Sequence, residues 1–107
     1  MVEVMPLPPR LSDDDRKAAL AKAAKVRRVR SEIRTQLKAG TVTLAQLFEQ
    51  LDDDMVGKMK TLVVIESLPG VGKVKARRLM ADVGIADSRR LRGLGDKQRA
   101  KLLSAIR

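Results

Sequence analysis

A chain of 107 residues has room for one compact domain, and its 23 Lys and Arg against 13 Asp and Glu, a formal net charge of +10, point to a polyanionic partner. Cys and His are absent, which excludes a disulfide framework and zinc–thiolate chemistry and removes the commonest general base; no metal, no cofactor and no enzymatic activity are expected. No apolar run reaches the length of a membrane span and no basic head with an apolar signal core opens the chain, which predicts a soluble cytoplasmic protein.

Residues 1–11 contain Pro6, Pro8 and Pro9, which cannot donate backbone hydrogen bonds and favour extended geometry, so a flexible arm is predicted there. Ser12, with Asp15 three residues later and Asp13 and Asp14 beside it, is a helix-start signature. The spacing predicts one long helix over residues 12–40, ended by Gly40. Val26, Val29, Ile33 and Leu37 recur at 3-4-4 spacing as an apolar face, and Arg27, Arg30, Arg34 and Lys38 form a basic stripe beside it. That stripe is a candidate second nucleic-acid surface, although long amphipathic helices often carry such stripes as solvated faces. The upstream half offers mainly alanines to bury, so it is expected to project from the domain.

Thr41 or Thr43 is expected to cap a short helix through Leu51, with Leu44, Leu47, Phe48 and Leu51 facing inward. Asp52, Asp53 and Asp54 are adjacent rather than convergent and lack the Gly and terminal Glu of a calcium loop, so they read as caps of the next helix rather than metal ligands. Met55, Met59, Leu62, Val63 and Ile65 predict one helix continuing to about Leu68. Thr61, Val63, Val64 and Ile65 favour a strand locally, but a lone strand would have no partner. A further helix is predicted from Gly72 to Val83, stopped by Gly84, then an arginine-rich connector, then a last helix from Gly95 or Asp96 to the end with Leu102, Leu103 and Ile106 as its apolar stripe. The fold class is all-α: the long basic helix packed on about four further helices.

Between the central helices lies the run Leu68-Pro69-Gly70-Val71-Gly72-Lys73-Val74-Lys75. Pro69 ends what precedes it, and the two glycines admit backbone conformations closed to other residues. A helix starting near Gly72 leaves its first N–H groups unpaired at the positive end of its dipole, which suits a phosphate. Gly70, Val71, Gly72, Lys73 and Lys75 are therefore candidate contacts to a nucleic-acid backbone, set against the plain reading of an interhelical turn with a solvated basic face. The look-alike is the end of a nucleotide-binding P-loop. That motif requires Gly where this chain has Ser67 and Ser or Thr where it has Val74, and no strand precedes it. The pattern Leu-x-Gly-aliphatic-Gly recurs at Leu91-Arg92-Gly93-Leu94-Gly95, which suggests a related second turn with amides of its own to offer.

Two basic blocks flank a mildly acidic centre: residues 10–38 and 67–107 are strongly basic, whereas acidic side chains predominate over 39–66. Phe48 is the sole aromatic and falls at a core position, so no ring is spare for stacking on unpaired bases; a duplex gripped by its phosphates fits better than a single strand.

The run from Leu68 to Ile85 resembles the helix-two-turns-helix (H2TH) module shared by the ribosomal protein S13 family and the formamidopyrimidine-DNA glycosylase family. The chain begins Met1-Val2-Glu3 and has no Cys, so it lacks the N-terminal Pro-Glu and zinc finger those glycosylases use. A closer resemblance, over nearly the whole chain, is to the actinobacterial-type integration host factor family. It is carried by the long basic helix, the helix around Leu44 to Leu51, Glu66-Ser67-Leu68-Pro69-Gly70-Val71-Gly72-Lys73-Val74, Gly84-Ile85-Ala86 and Ser88-Arg89-Arg90-Leu91-Arg92-Gly93-Leu94-Gly95. The resemblance implies an H2TH DNA-binding domain over residues 41–107 in a nucleoid-associated protein. Such a protein binds double-stranded DNA with little sequence preference, bends or compacts it, and assists phage integration, with phage integrase as a further partner and a monomeric state. It also implies that the arginines of the Ser88-Arg89-Arg90 segment meet the minor groove; a narrow minor groove attracts arginine, so Arg89, Arg90 or Arg92 is expected to read its shape. The alternative is an S13-like binder of structured RNA.

Overall fold

Ser12 begins the first element through a reciprocal cap. In the computed structural model, which describes residues 12–106, the Asp15 N–H donates to Ser12 Oγ at 3.0 Å and the Ser12 N–H to Asp15 Oδ2 at 3.3 Å. Helix α1 then runs Asp13–Ala39 and ends at Gly40, whose φ of 76° lets Gly40 and Thr41 return their N–H groups to Leu37 and Gln36. The proline-rich arm lies outside the described residues. As expected, the upstream half of α1 stands free: from Asp13 to Lys25 every residue is exposed except Ala23, which is half-buried. Downstream, Val26, Val29 and Ile33 are half-buried and Leu37 is fully buried, so the apolar face engages progressively toward the C-terminus.

Five short helices follow, rather than about four: α2 (Leu44–Phe48), α3 (Asp54–Gly57), α4 (Thr61–Glu66), α5 (Gly72–Val83) and α6 (Asp96–Ala105), with one 3-10 turn at Leu91–Gly93. Thr43 is the cap of α2, accepting from the Gln46 N–H at 3.2 Å while Gln46 Oε1 accepts from the Thr43 N–H at 2.8 Å. Thr41 instead donates its hydroxyl to the Gln36 carbonyl. The helix ends at Phe48, short of Leu51. Asp53 caps α3 by accepting from the Met55 N–H at 2.9 Å.

The single helix expected from Met55 to Leu68 is broken in two. The break falls at Lys58–Lys60, where the chain pairs with a distant segment: the Thr61 N–H donates to the Arg89 carbonyl at 3.0 Å and the Leu91 N–H to the Met59 carbonyl at 2.9 Å. Lys60 and Arg90 thus form an isolated antiparallel bridge, the partner that local strand propensity lacked. The pairing covers only Lys60 on this side; Thr61 to Glu66 remain helical. Two more backbone bonds across the molecule outweigh the helical turn that Met59 and Lys60 would have completed.

The core is one cluster drawn from every element, including Leu37 of α1, Leu44 and Leu47 of α2, Ile65 of α4, Met80 of α5, Leu91 of the 3-10 turn and Leu102 of α6, all nearly or fully buried. Helix α5 packs on α4 and α6, while α1 packs on α3. Among the described residues no helix is long and apolar enough to cross a membrane.

Candidate nucleic-acid interface

The turn between α4 and α5 takes the conformation its glycines predict. Gly70 and Gly72 have φ of 74° and 69°, a region that L side chains adopt only with strain, and nothing lies within 4 Å of where a Cβ would stand at either. Val71 turns inward, half-buried, and its N–H donates to the Leu68 carbonyl at 3.2 Å. No acceptor among the described residues takes the N–H of Gly70, Gly72, Lys73 or Val74. All four residues are exposed, Val74 by 75% despite being apolar.

The charges around this helix start run against its own stability. A helix N-terminus is stabilised by carboxylates and side-chain caps, as α1 is by Ser12 and its three aspartates. Helix α5 has neither: no acidic residue occupies its first turn and no side chain caps it. Lys73 and Lys75 stand there instead, exposed and without an ion pair among the described residues. Ala76, fully buried, fixes the helix so that this face points outward. The arrangement gathers four amides without acceptors among the described residues, the positive helix end and two ammonium groups, a setting that suits an anion.

The second turn departs from the first. Gly93 and Gly95 are not in the left-handed region. The Gly93 N–H is taken by the Arg90 carbonyl at 2.9 Å, Leu94 by Leu91 at 3.2 Å, and Gly95 by the Gln98 side chain at 3.0 Å. The expectation that this turn also offers amides is therefore corrected: its donors are used internally. Where the first turn continues into Lys73, the second continues into Asp96, whose carboxylate pairs with Arg99.

The arginines of the connector differ in their freedom. Ser88 and Arg89 are exposed, and among the described residues the Arg89 side chain donates only over a long 3.5 Å, from Nη1 to the Gly93 carbonyl. Arg90 donates from Nη1 to the Lys58 carbonyl. Arg92 is committed within the fold: Nε and Nη2 reach the Leu51 carbonyl at 3.1 and 3.0 Å, and Nη2 also reaches the Asp52 carbonyl and Asp54 Oδ1, the latter at 2.8 Å. This clamp explains Gly57, where a Cβ would stand 2.4 Å from the Leu51 carbonyl oxygen and 2.8 Å from Arg92 Nε. The Arg92 hydrogen bond, followed by the charges of Lys58 and Arg92, holds the Asp54 carboxyl below its ordinary value.

On α1, Arg27, Arg34 and Lys38 are exposed and Arg30 is half-buried. Arg30 and Arg34 meet Arg90 and Lys60 around one cleft, so part of the helical stripe and part of the connector converge, whereas Arg27 and Lys38 do not line it. Lys60 had no sequence signal; the bridge to Arg90 brings it there.

Residues 37–106 match the S13-like H2TH domain family. The chain is 50% identical over 96 residues to the integration host factor of Mycobacterium tuberculosis (strain ATCC 25618 / H37Rv), covering 89% of this chain and 91% of that protein. It is 48% identical over 99 residues to the integration host factor of Streptomyces coelicolor (strain ATCC BAA-471 / A3(2) / M145), covering 92% of each. Among solved structures it resembles sIHF bound to an 8bp palindromic DNA, with a TM-score of 0.78 at 44% identity over 81% of this chain and 99% of that one.

Proposed function

The chain belongs to the actinobacterial integration host factor family, whose members carry an S13-like H2TH domain, and from that premise we propose that it is an architectural protein binding double-stranded DNA with little sequence preference. The observation that carries this reading is the start of α5, where four amides without acceptors among the described residues stand beside two lysines at a helix end that no side chain neutralises. A DNA phosphate supplies the missing charge. Gly70, Val71, Gly72, Lys73 and Lys75 then fix the protein on the backbone without reading sequence. Arg89 and Arg90, with Ser88, enter the minor groove, while Arg92 acts by holding their backbone against Leu51.

Residues 41–107 form the gripping domain in this reading, and the helix over 12–40 presents a second surface through Arg27, Arg30, Arg34 and Lys38. Two basic surfaces on a small monomer bend or compact a duplex and assist phage integration in a complex with phage integrase. The protein acts at the nucleoid in the cytoplasm, and neither catalysis nor a cofactor enters this role.

Gel shifts at matched salt with duplex DNA, single-stranded DNA and structured RNA test the reading. Duplex DNA is expected to bind tightest; structured RNA binding as tightly or more so would favour the S13-like alternative. Replacing Arg27, Arg30 and Arg34 together by Gln is expected to abolish bending and compaction, and their survival would remove the second surface.

A further inference from the structure

Between the downstream half of α1 and the Lys60–Arg90 bridge lies a cleft of about 300 Å³, lined by Arg30, Arg34, Met59, Lys60, Val63 and Arg90. Four of these six residues are cations, brought from three separate parts of the chain, and among the described residues no carboxylate lines the cleft with them. None of the four forms an ion pair among the described residues. The Nε of Arg30 is enclosed without a hydrogen-bond partner. Like charges so gathered repel one another, and a polar nitrogen withdrawn from water without a partner adds a further cost. The repulsion is relieved by a multiply charged anion seated between the guanidinium groups, which match phosphate oxygens in pairs.

The floor narrows the chemistry. Val63 is half-buried while Met59 is only 3% exposed, so the apolar surface among the cations is mainly that of Val63. An aliphatic wall and flanking guanidinium planes favour a flat aromatic body, and the volume is at the small end of the range for compact ligands. The geometry points to a binding site for a nucleoside di- or triphosphate, with phosphates on Arg30, Arg34, Lys60 and Arg90 and the base against Val63. The site is separate from the glycine turn and involves no hydrolysis. Because Arg30, Arg34 and Arg90 also lie on the surfaces assigned to DNA, a bound nucleotide withdraws them from it. That consequence, unlike the site itself, rests on the DNA-binding reading.

ATP titrated into the full chain, without magnesium and without DNA, tests the site by calorimetry and by amide chemical shifts. Expected is saturation at one nucleotide per chain, with shifts at Arg30, Arg34, Lys60 and Val63. The Arg30→Gln/Lys60→Gln variant should bind at least about tenfold more weakly, having lost two charged phosphate contacts. Lys97→Gln/Lys101→Gln, with the same loss of charge elsewhere, should change affinity by less than about twofold. Inorganic triphosphate should bind more weakly than ATP. Equal weakening in both double variants, shifts confined to Gly70–Lys75, or triphosphate binding as tightly as ATP would each overturn the assignment. Duplex affinity of the unmodified chain is measured in parallel: a chain that binds DNA but not ATP loses this site alone, and one that binds ATP but not DNA loses the function proposed above.

Discussion

The turns at Leu68–Gly72 and Leu91–Gly95 share the pattern Leu-x-Gly-aliphatic-Gly and differ in what their amides do. In the first, both glycines are left-handed and four N–H groups have no acceptor among the described residues. In the second, neither glycine is left-handed and the N–H groups of Gly93, Leu94 and Gly95 close on neighbouring acceptors. The flanking residues account for the contrast. Gln98 sits three residues after Gly95 and reaches back to cap it, whereas the corresponding position after Gly72 is Lys75, which has no acceptor to offer. Similar glycine spacing thus yields a turn with unpaired amides in one place and a closed turn in the other.

Substituting the glycines separates the two turns most sharply. Alanine at Gly70 and Gly72 forces a left-handed conformation at a cost of about 1–2 kcal/mol per residue, with no steric clash to add to it. The turn re-forms with its amides aimed elsewhere, and duplex affinity measured by fluorescence anisotropy is expected to fall by about tenfold or more, the loss of one or two charge-assisted contacts. Gly95→Ala should stay within about threefold, since Gly95 has an ordinary φ of -76° and a Cβ there meets Gln98 Oε1 only at 3.8 Å. Equal losses would break the comparison.

The arginines provide a second contrast. Arg92→Ala removes the bonds to the Leu51 and Asp52 carbonyls and is expected to destabilise the fold by about 1–2 kcal/mol in thermal melts. Arg89→Ala should leave the melting temperature nearly unchanged and weaken DNA binding, more on AT-rich than on GC-rich duplexes. Lys73→Ala should flatten the plot of log affinity against log salt by about 0.9. Asp96→Ala, at the matching place in the second turn, should leave that slope unchanged.

The smallest effect is a pH dependence. The folded-state pKa of Asp54 is depressed, so its contribution is present above the unfolded value of about 3.9 and lost as pH falls through the lowered folded value. The gap in melting temperature between the unmodified chain and Arg92→Ala should therefore narrow below about pH 4. A gap constant down to pH 2 would place the whole effect of Arg92 on the carbonyls.

What the sequence made legible was local. The cap at Ser12 and Asp15, the stops at Gly40 and Gly84, and the glycine turn before α5 depend on neighbours within a few residues, and each lies where spacing predicts. The projecting half of α1 was readable from its alanines. Long-range pairing was not: nothing near Lys60 announces that Arg90 will bond beside it and end a helix. For the same reason Arg92 reads as a free groove probe until the fold brings the Leu51 carbonyl to it past Gly57. The cleft combining Arg30, Arg34, Lys60 and Arg90 is another product of that pairing.

The free amides of the first turn, rather than its positive charge alone, are expected to anchor the protein on duplex DNA. Amide chemical shifts during titration with a short duplex test it directly. Large shifts are expected at Gly70, Gly72, Lys73 and Val74, with Gly93, Leu94 and Gly95 little changed. Shifts of equal size in both turns, or larger ones in the second, would contradict it.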